Sequence, residues 1–153
     1  MERKRDLLSD IVTLARLIRT EVDKRARTHG MTRAQWSILI RLEIQPGLLQ
    51  KELAELLEVE PITVARLIDR LEARRMVERR PDPMDRRCWR LHLTDESRPL
   101  LGEIDVQLTD VARILCDGLP LETLETLSAA IKHMRDRAQE QRATGDTPLE
   151  DVA

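Results

Sequence analysis

Apolar residues recur through most of this chain at the three- and four-residue spacing that places them on one face of a helix. The first stripe consists of Ile11, Leu14, Ile18 and Val22. It predicts a long amphipathic helix over residues 7–28. Arg16, Arg19 and Glu21 fall between these positions, so the helix has an apolar side and a side that carries charge.

Three shorter helices are predicted to follow. Thr32 is a good N-cap for the first of them, which ends near Pro46. The second occupies 50–59, and Pro61 suits the first turn of the third, which covers 61–75. Two short helices joined by a tight turn are typical of a helix-turn-helix.

The spacing changes from helical to alternating over residues 76–94. In the second half of this segment Trp89 and Leu91 fall on one side, and Arg90 and His92 fall on the other. The intervening PDPMDRR contains two prolines and must be a turn. A β-hairpin directly behind a helix-turn-helix makes a winged helix, and here the arginines lie at the hairpin tip.

Helical spacing returns from about Asp95 in two further helices, separated by a break at 117–120. Their stripes carry more apolar surface than one small chain is expected to cover, so they predict a homodimer. The expected interface residues are Leu101, Ile104, Leu108, Val111, Leu115, Leu124, Leu127 and Ile131.

The expected architecture is therefore mostly α. A winged helix-turn-helix with a small β-hairpin wing occupies 30–96, and a helical dimerisation region is formed by 1–29 and 97–141. The polar segment 142–153 is expected to be a flexible tail.

Composition limits the class of protein. The formal charge of −2 gives no global sign of nucleic-acid binding, so a basic site has to be local. No apolar run is long enough to span a membrane, and the N-terminus lacks the apolar core of a signal peptide. Cys88 and Cys116 form no C-x-x-C pair. These features favour a cytoplasmic protein in a reducing compartment.

Charge is concentrated in residues 61–90, which carry a net +4 and leave −6 for the rest of the chain. All nine basic residues of this segment are arginine, the side chain best suited to bidentate contacts with phosphate or guanine. Double-stranded DNA is the partner that this pattern favours. The alternative is that the arginines are solvated surface charges paired with Glu72, Glu78 and Asp85.

The segment from Leu48 to Glu96 resembles the winged helix-turn-helix of the MarR family of bacterial transcriptional regulators, and within that family it is similar to the SlyA type. The most specific motif is D-x-R followed by L-x-L-T, and its residues are Asp85, Arg87, Leu91, Leu93 and Thr94. The resemblance extends over nearly the whole chain. It implies an obligate homodimer held by the terminal helices, with recognition helices in successive major grooves and wings in the minor groove.

The chain departs from the family pattern at two positions. Arg75 stands where a glycine usually separates the recognition helix from the wing, so either Arg75 adopts a left-handed conformation or the helix ends differently. Leu49 stands where a serine or threonine usually caps the third helix, which leaves Gln50 as a weaker cap.

DNA contacts are expected from the third helix, the recognition helix and the wing. Thr63 and Arg66 are the candidates for base edges, Ile62 for a thymine methyl, and Arg87 for the minor groove. Asp85 would orient the wing, or else form a purely structural ion pair. The full set is Gln50, Lys51, Ile62, Thr63, Arg66, Arg70, Arg80, Asp85, Arg86 and Arg87.

Two signals are open for such a regulator. The resemblance implies a crevice for phenolic or aromatic acids, near which Arg16, Arg19, His29 and Trp36 are the candidate ligand contacts. Each of them also has an ordinary interpretation, as surface arginine, helix-end histidine or core tryptophan. The rival signal is oxidation of Cys88, whose neighbouring arginines would favour the thiolate.

Catalysis is not expected. His29, His92 and His133 lie on three different elements, and no nucleophile, phosphate loop or metal motif accompanies them. No cofactor is therefore predicted. A helical scaffold that binds only proteins would explain the apolar stripes but not the arginine-rich hairpin.

Overall fold

The structure, a computed structural model, describes residues 2–145. These residues form two compact units, divided between Val111 and Ala112. Its elements are α1 (Glu2–Thr28), α2 (Arg33–Ile44), β1 (Leu48–Leu49), α3 (Gln50–Leu57), α4 (Pro61–Ala73), β2 (Val77–Pro81), β3 (Trp89–Leu93), a single 3₁₀ turn (Asp95–Ser97), α5 (Arg98–Cys116) and α6 (Leu121–Gly145). The predicted fold class, a mostly helical winged helix-turn-helix, is confirmed.

The N-terminus of α2 is capped as predicted, whereas that of α3 is not. Thr32 caps α2 as expected: its hydroxyl accepts from the backbone N–H of Gln35 at 3.2 Å, and the Gln35 side chain accepts from the Thr32 N–H at 2.9 Å. Gln50 does not cap α3, because it is already the first residue of that helix. Instead the Glu52 carboxylate reaches back to the Leu49 N–H at 2.7 Å.

Arg75 takes the left-handed conformation that was one of the two expected alternatives. Its φ is 57°, and it follows α4 in a Schellman arrangement. The Arg75 N–H donates to the Glu72 carbonyl at 2.8 Å, and the Met76 N–H donates to the Leu71 carbonyl at 2.9 Å. The helix thus ends as it would with glycine, at the steric cost of a side chain.

The wing is part of a three-stranded antiparallel sheet with the order β1-β3-β2. In the predicted hairpin, Val77 pairs with Leu93 and Arg80 pairs with Arg90. The third strand, β1, was not predicted. It is two residues long and pairs Leu48 with Leu91, too short for an alternating pattern to reveal.

The core of the first unit lies between α2, α3, α4 and the sheet. Its largest fully buried side chains are Trp36, Ile38, Leu39, Leu42, Leu53, Ile68, Leu71 and Leu91, joined by Ile104 of α5. Leu101 and Val111 are also buried in this unit. Three of the residues expected at a dimer interface, Leu101, Ile104 and Val111, are therefore covered within one chain, because an apolar stripe alone does not distinguish a core from an interface.

The second unit contains the end of α5 and the helix α6. Gly118 has a φ of 75° in the predicted break between them. Of the expected interface residues, Leu115, Leu127 and Ile131 are exposed here, and Leu124 is half-buried. Because Gln139 to Arg142 are good helix formers, α6 continues to Gly145, into the segment expected to be a tail. The rest of that segment, 146–153, lies outside the described residues.

The first helix begins at Glu2, five residues before the predicted start, and carries an exposed apolar surface. Its exposed large apolar side chains are Leu7, Leu8, Val12, Leu14 and Leu17. Within residues 2–145, no helix combines the length and hydrophobicity needed to span a membrane.

Candidate nucleic-acid interface

Helix α4 has one buried face and one exposed face. Val64, Ile68 and Leu71 are fully buried against the core, because they recur at helical spacing. Other positions of the helix carry exposed side chains, namely Ile62, Thr63, Arg66 and Arg70. The four residues expected to contact DNA from this helix thus all reach solvent, and Ile62 is 62% exposed despite its apolar side chain.

The nine arginines of residues 61–90 divide into two groups. Five have polar partners within the chain. Arg74 donates to the carbonyls of His29 and Gly30, and the other four pair with carboxylates: Arg75 with Glu96, Arg79 with Asp69 and Glu72, Arg80 with Glu78, and Arg90 with Asp82. These side chains hold the domain together or are neutralised within it.

The other four arginines have no hydrogen-bond or ion-pair partner among residues 2–145. They are Arg66 and Arg70 on α4, and Arg86 and Arg87 in the turn of the wing. All four are exposed. A guanidinium that is not neutralised by its own chain is available to a phosphate or a base edge.

A buried aspartate that the sequence interpretation did not single out organises the turn of the wing. The Asp82 carboxylate accepts from the backbone N–H groups of Met84 at 2.7 Å and Asp85 at 3.1 Å, and it pairs with the Arg90 guanidinium. The two backbone hydrogen bonds, followed by the arginine, hold the pKa of Asp82 below its usual value. The signal in the sequence was the D-P-x-D pattern, since aspartate often closes a turn in this way.

Asp85 acts on the wing turn through backbone and thiol contacts. Its carboxylate accepts from the Arg87 N–H at 2.9 Å and from the Cys88 thiol at 3.5 Å. No ion pair between Asp85 and an arginine occurs among the described residues, which favours the orienting role over the expected alternative of a structural salt bridge.

The environment of Cys88 differs from the expectation for a reactive thiol. The hydrogen bond to Asp85 and partial desolvation raise the pKa of the Cys88 thiol, and the opposing effect of Arg90 is smaller. The argument that neighbouring arginines favour the thiolate is therefore wrong, because the nearest charge is a carboxylate. Reactivity toward peroxide requires the thiolate, so the raised pKa disfavours redox sensing at Cys88.

The remaining expected DNA contacts lie at the start of α3 and in β2. Gln50 is half-buried, whereas the side chain of Lys51 is 83% exposed and lies 3.9 Å from Glu55. Arg80 is exposed, but Glu78 already neutralises it at 2.5 Å. Of the arginines expected to contact DNA, Arg80 is the one with a carboxylate partner.

The candidate ligand residues are only partly brought together. The rings of His29 and Trp36 lie with centroids 5.6 Å apart. Trp36 is fully buried, which favours its interpretation as a core residue, although its indole N–H has no acceptor within the described residues. Arg16 and Arg19 are exposed on α1, and Arg19 is ten residues before His29, about 15 Å along the helix axis.

Two of the cavities formed by the described residues bear on the expected crevice and on the wing. One, of about 360 Å³, lies between the end of α1 and α5 and is lined by His29, Pro99, Gly102, Glu103, Val106 and Gln107. The other, of about 330 Å³, lies behind the wing beside Arg80, His92 and Arg98. Burial and then the charge of Arg80 lower the pKa of His92 there. No group of three or more metal-ligating side chains occurs within residues 2–145.

A helix-turn-helix with an exposed basic recognition helix, followed by a hairpin with free arginines at its tip, defines a winged-helix DNA-binding protein. A model of the MarR family matches residues 29–87. The chain is thus similar to the MarR family over this segment, and its fold is similar to those of solved MarR-type regulators. Proteins of this family are transcriptional regulators, not enzymes, and they bind DNA and act as dimers.

Solved structures of MarR-type regulators share the fold. The transcriptional regulator SlyA is 26% identical over 89% of this chain and 96% of its own, with a TM-score of 0.78. A MarR transcriptional regulator from Methanosarcina mazei Go1 is 23% identical over 89% and 98%, with a TM-score of 0.80. Wild-type MarR from E. coli is 22% identical over 83% and 96%, with a TM-score of 0.71.

Proposed function

We propose that this protein is a homodimeric, sequence-specific repressor that binds a palindromic operator and is released by a small aromatic or phenolic effector. Helix α4 enters the major groove, where Thr63 and Arg66 read base edges, while Arg87 enters the minor groove from the wing. Arg70 and Arg86 contact phosphates. A bacterial regulator of this kind binds chromosomal DNA in the cytoplasm, which is the location expected from the sequence.

One observation carries the DNA-contact proposal. Four of the nine arginines in residues 61–90 have no hydrogen-bond or ion-pair partner among the described residues, and all four belong to α4 or the turn of the wing. If the arginines served only solubility, those on α4 and in the turn of the wing would be expected to pair with carboxylates as often as the other arginines of residues 61–90. Five acids are present in the same segment, so the free arginines are not explained by a lack of partners.

The dimer proposal rests on exposed apolar surface in each unit. Leu7, Val12 and Leu14 are about half or more exposed on α1, and Leu127 and Ile131 are similarly exposed on α6. Burial of one leucine is worth roughly 2 kcal/mol, so several such residues per chain favour association strongly. We expect a dimeric mass at micromolar concentration, and a monomeric mass would contradict the proposal.

The effector proposal rests on the cavity beside His29. Its volume is at the lower end of the range for small-molecule sites. The side chains of His29 and Glu103 in its lining lie 3.2 Å apart. An aromatic acid could exchange its carboxylate for that of Glu103 and place its ring against Val106.

The binding test uses fragmented genomic DNA retained by the purified protein and then sequenced. We expect an imperfect palindrome whose half-sites lie about one helical turn apart, since half-site spacing follows from the two-fold of the dimer. Retention without any enriched sequence would overturn the sequence-specific part of the proposal. A promoter carrying the recovered site, fused to a reporter, should be less active when the protein is present.

The effector test adds salicylate to the complex with the recovered duplex and uses acetate as a control that carries the charge without the ring. Release by salicylate alone is expected, and Val106→Arg should abolish it by filling the cavity. Equal release by both acids would indicate ionic strength and would contradict an effector site.

A further inference from the structure

Two wing arginines have side chains that reach outside the wing: Arg79 reaches Asp69 and Glu72 of α4, and Arg90, one position nearer the tip, reaches the turn before β1. The Arg90 Nε donates to the Asp82 carboxylate, and its Nη1 donates to the carbonyl oxygen of Gly47 at 2.9 Å. Gly47 lies in the turn between α2 and β1, and its own N–H donates to the Leu91 carbonyl at 2.9 Å. That turn leads through β1 into α3, so Arg90 connects the wing to the helix-turn-helix.

Asp82 is the other half of this connection. Its carboxylate closes the turn by accepting from the N–H groups of Met84 and Asp85, and its own N–H donates to the Cys88 carbonyl at 2.9 Å. Only 6% of Asp82 is exposed. The same carboxylate therefore shapes the turn and binds Arg90.

The wing tip, residues 83–88, has no second tie of this kind. Within residues 2–145, every polar contact of the tip stays inside residues 82–88, as in the hydrogen bonds of Arg87 and Cys88 to Asp85. Strand β1 pairs with β3 at Leu91 and Arg90, so beyond Arg90 two strands alone carry the tip. A two-stranded ribbon twists and bends easily by itself, so its direction needs a contact beyond the ladder.

We propose that Asp82 and Arg90 form a latch with the Gly47 carbonyl that sets the angle of the wing relative to α4. They are positioning residues: they hold Arg86 and Arg87 where these can reach DNA while α4 occupies the major groove, and they make no DNA contact themselves. This inference rests on the proposed DNA contact of the wing. The latch would thus affect DNA binding through Arg86 and Arg87 and not through a DNA contact of its own.

The rival explanation for Arg90 is a direct contact to phosphate. The two explanations predict opposite changes in DNA affinity for Asp82→Asn. An asparagine oxygen can still accept from Met84 and Asp85, so the turn remains, but its amide cannot accept from Arg90. The substitution also removes a negative charge beside DNA. Electrostatics alone therefore predicts tighter binding, whereas loss of the latch predicts weaker binding.

The experiment measures binding of the full-length dimer to a duplex selected by the wild-type protein from a random-sequence pool. We expect Asp82→Asn and Arg90→Gln each to weaken binding roughly fivefold, with α-helical content unchanged. Asp95→Asn is the control for removal of a carboxylate, since the Asp95 side chain is 94% exposed beside Arg98, and it should bind as the wild type or more tightly. Arg137→Gln, on α6, is the control for removal of an arginine.

A double-mutant cycle with Arg87→Ala identifies how the latch acts. If the latch positions Arg87, then Arg87→Ala should cost much less in the Arg90→Gln background than in the wild type. Arg90→Lys should fall between, because an ammonium can pair with Asp82 but cannot span to Gly47 at the same time. If Asp82→Asn does not fold, the cycle with Arg90→Gln still decides the question.

Three results would overturn the latch: tighter binding by Asp82→Asn, additivity of Arg90→Gln with Arg87→Ala, or wild-type binding by both latch variants. If Arg87→Ala itself has no effect, the proposed wing contact fails and the latch fails with it. If Arg87→Ala weakens binding while both latch variants do not, the wing contact stands and only the latch is wrong.

Discussion

The root and the tip of the wing use arginine in opposite ways. At the root, Arg79 is 25% exposed and held by Asp69 and Glu72, and Arg90 is held by Asp82. At the tip, Arg86 and Arg87 are exposed and have no partner among the described residues. The difference lies in the neighbouring carboxylates and not in the residue type. We infer that an arginine neutralised inside the chain supports the fold, and we propose that one left free serves recognition.

Helix α4 repeats this division along its length. The carboxylates of Asp69 and Glu72 accept hydrogen bonds from Arg79. Arg66 and Arg70 of the same helix have no hydrogen-bond or ion-pair partner within residues 2–145. The carboxylates of α4 thus bind the wing root without neutralising the arginines that face solvent. Predictions on the two groups should therefore separate binding from stability.

The largest effect is expected for a free arginine of α4. Arg66→Ala should cost about 1 to 3 kcal/mol per protomer in binding to the selected duplex, because it removes a bidentate hydrogen bond to a base edge. Preference at one base pair of each half-site should flatten, as measured by repeating the selection with the variant. Equal weakening on selected and unrelated DNA would mean that Arg66 contacts only phosphate.

A smaller and less specific loss is expected at the wing tip. Arg87→Ala should cost about 1 kcal/mol per protomer on selected and unrelated duplexes alike, because the minor groove distinguishes little beyond A·T from G·C. Competition between the two duplexes measures this. If the loss of affinity is confined to the selected duplex, Arg87 reads sequence and our distinction between helix and wing is wrong.

Arg79, at the root, should show the opposite behaviour. Arg79→Ala should lower the free energy of unfolding by about 1 kcal/mol, since Glu72 and Asp69 lose their partner, while DNA affinity per folded dimer changes little. Urea denaturation and a binding titration on the same sample provide both values. A stable variant with weakened binding would show that Arg79 belongs to the recognition group.

The smallest effect is expected at Cys88. Its thiol pKa is raised by Asp85, so little thiolate exists at neutral pH and peroxide should react slowly. Cys88→Ser should therefore match the wild type in DNA binding before and after peroxide treatment. Peroxide-induced release that disappears in Cys88→Ser would restore the redox hypothesis.

The sequence was sufficient for the fold because its signals are local. Thr32 with Gln35 marks a helix start, and the change from helical to alternating spacing at residue 76 marks the wing. Strand β1 could not be predicted, since two residues acquire their structure only by pairing with Leu91 and Arg90. The same limit applies to the apolar stripe at Leu101 and Ile104, which helical spacing alone could not assign to the core.

The candidate site was predictable in position but not in detail. The sequence places nine arginines in one segment, yet it does not show which of them meet carboxylates, because those pairs form across elements, as between Arg79 and Asp69. The thiol of Cys88 was misjudged for the same reason. Sequence neighbours suggested a positive field, whereas the turn brings the Asp85 carboxylate to the sulfur.

The central claim is that free arginines contact DNA and paired arginines do not, and the salt dependence of binding tests it most directly. Arg87→Gln and Arg79→Gln each remove one positive charge from the same wing. The slope of log K against log salt is negative, and loss of one charge that neutralises DNA makes it shallower by about 0.9. Because the dimer carries two copies of Arg87, Arg87→Gln should make the slope shallower by roughly 2. Arg79→Gln should leave the slope unchanged, and an equal decrease in both variants would contradict the account.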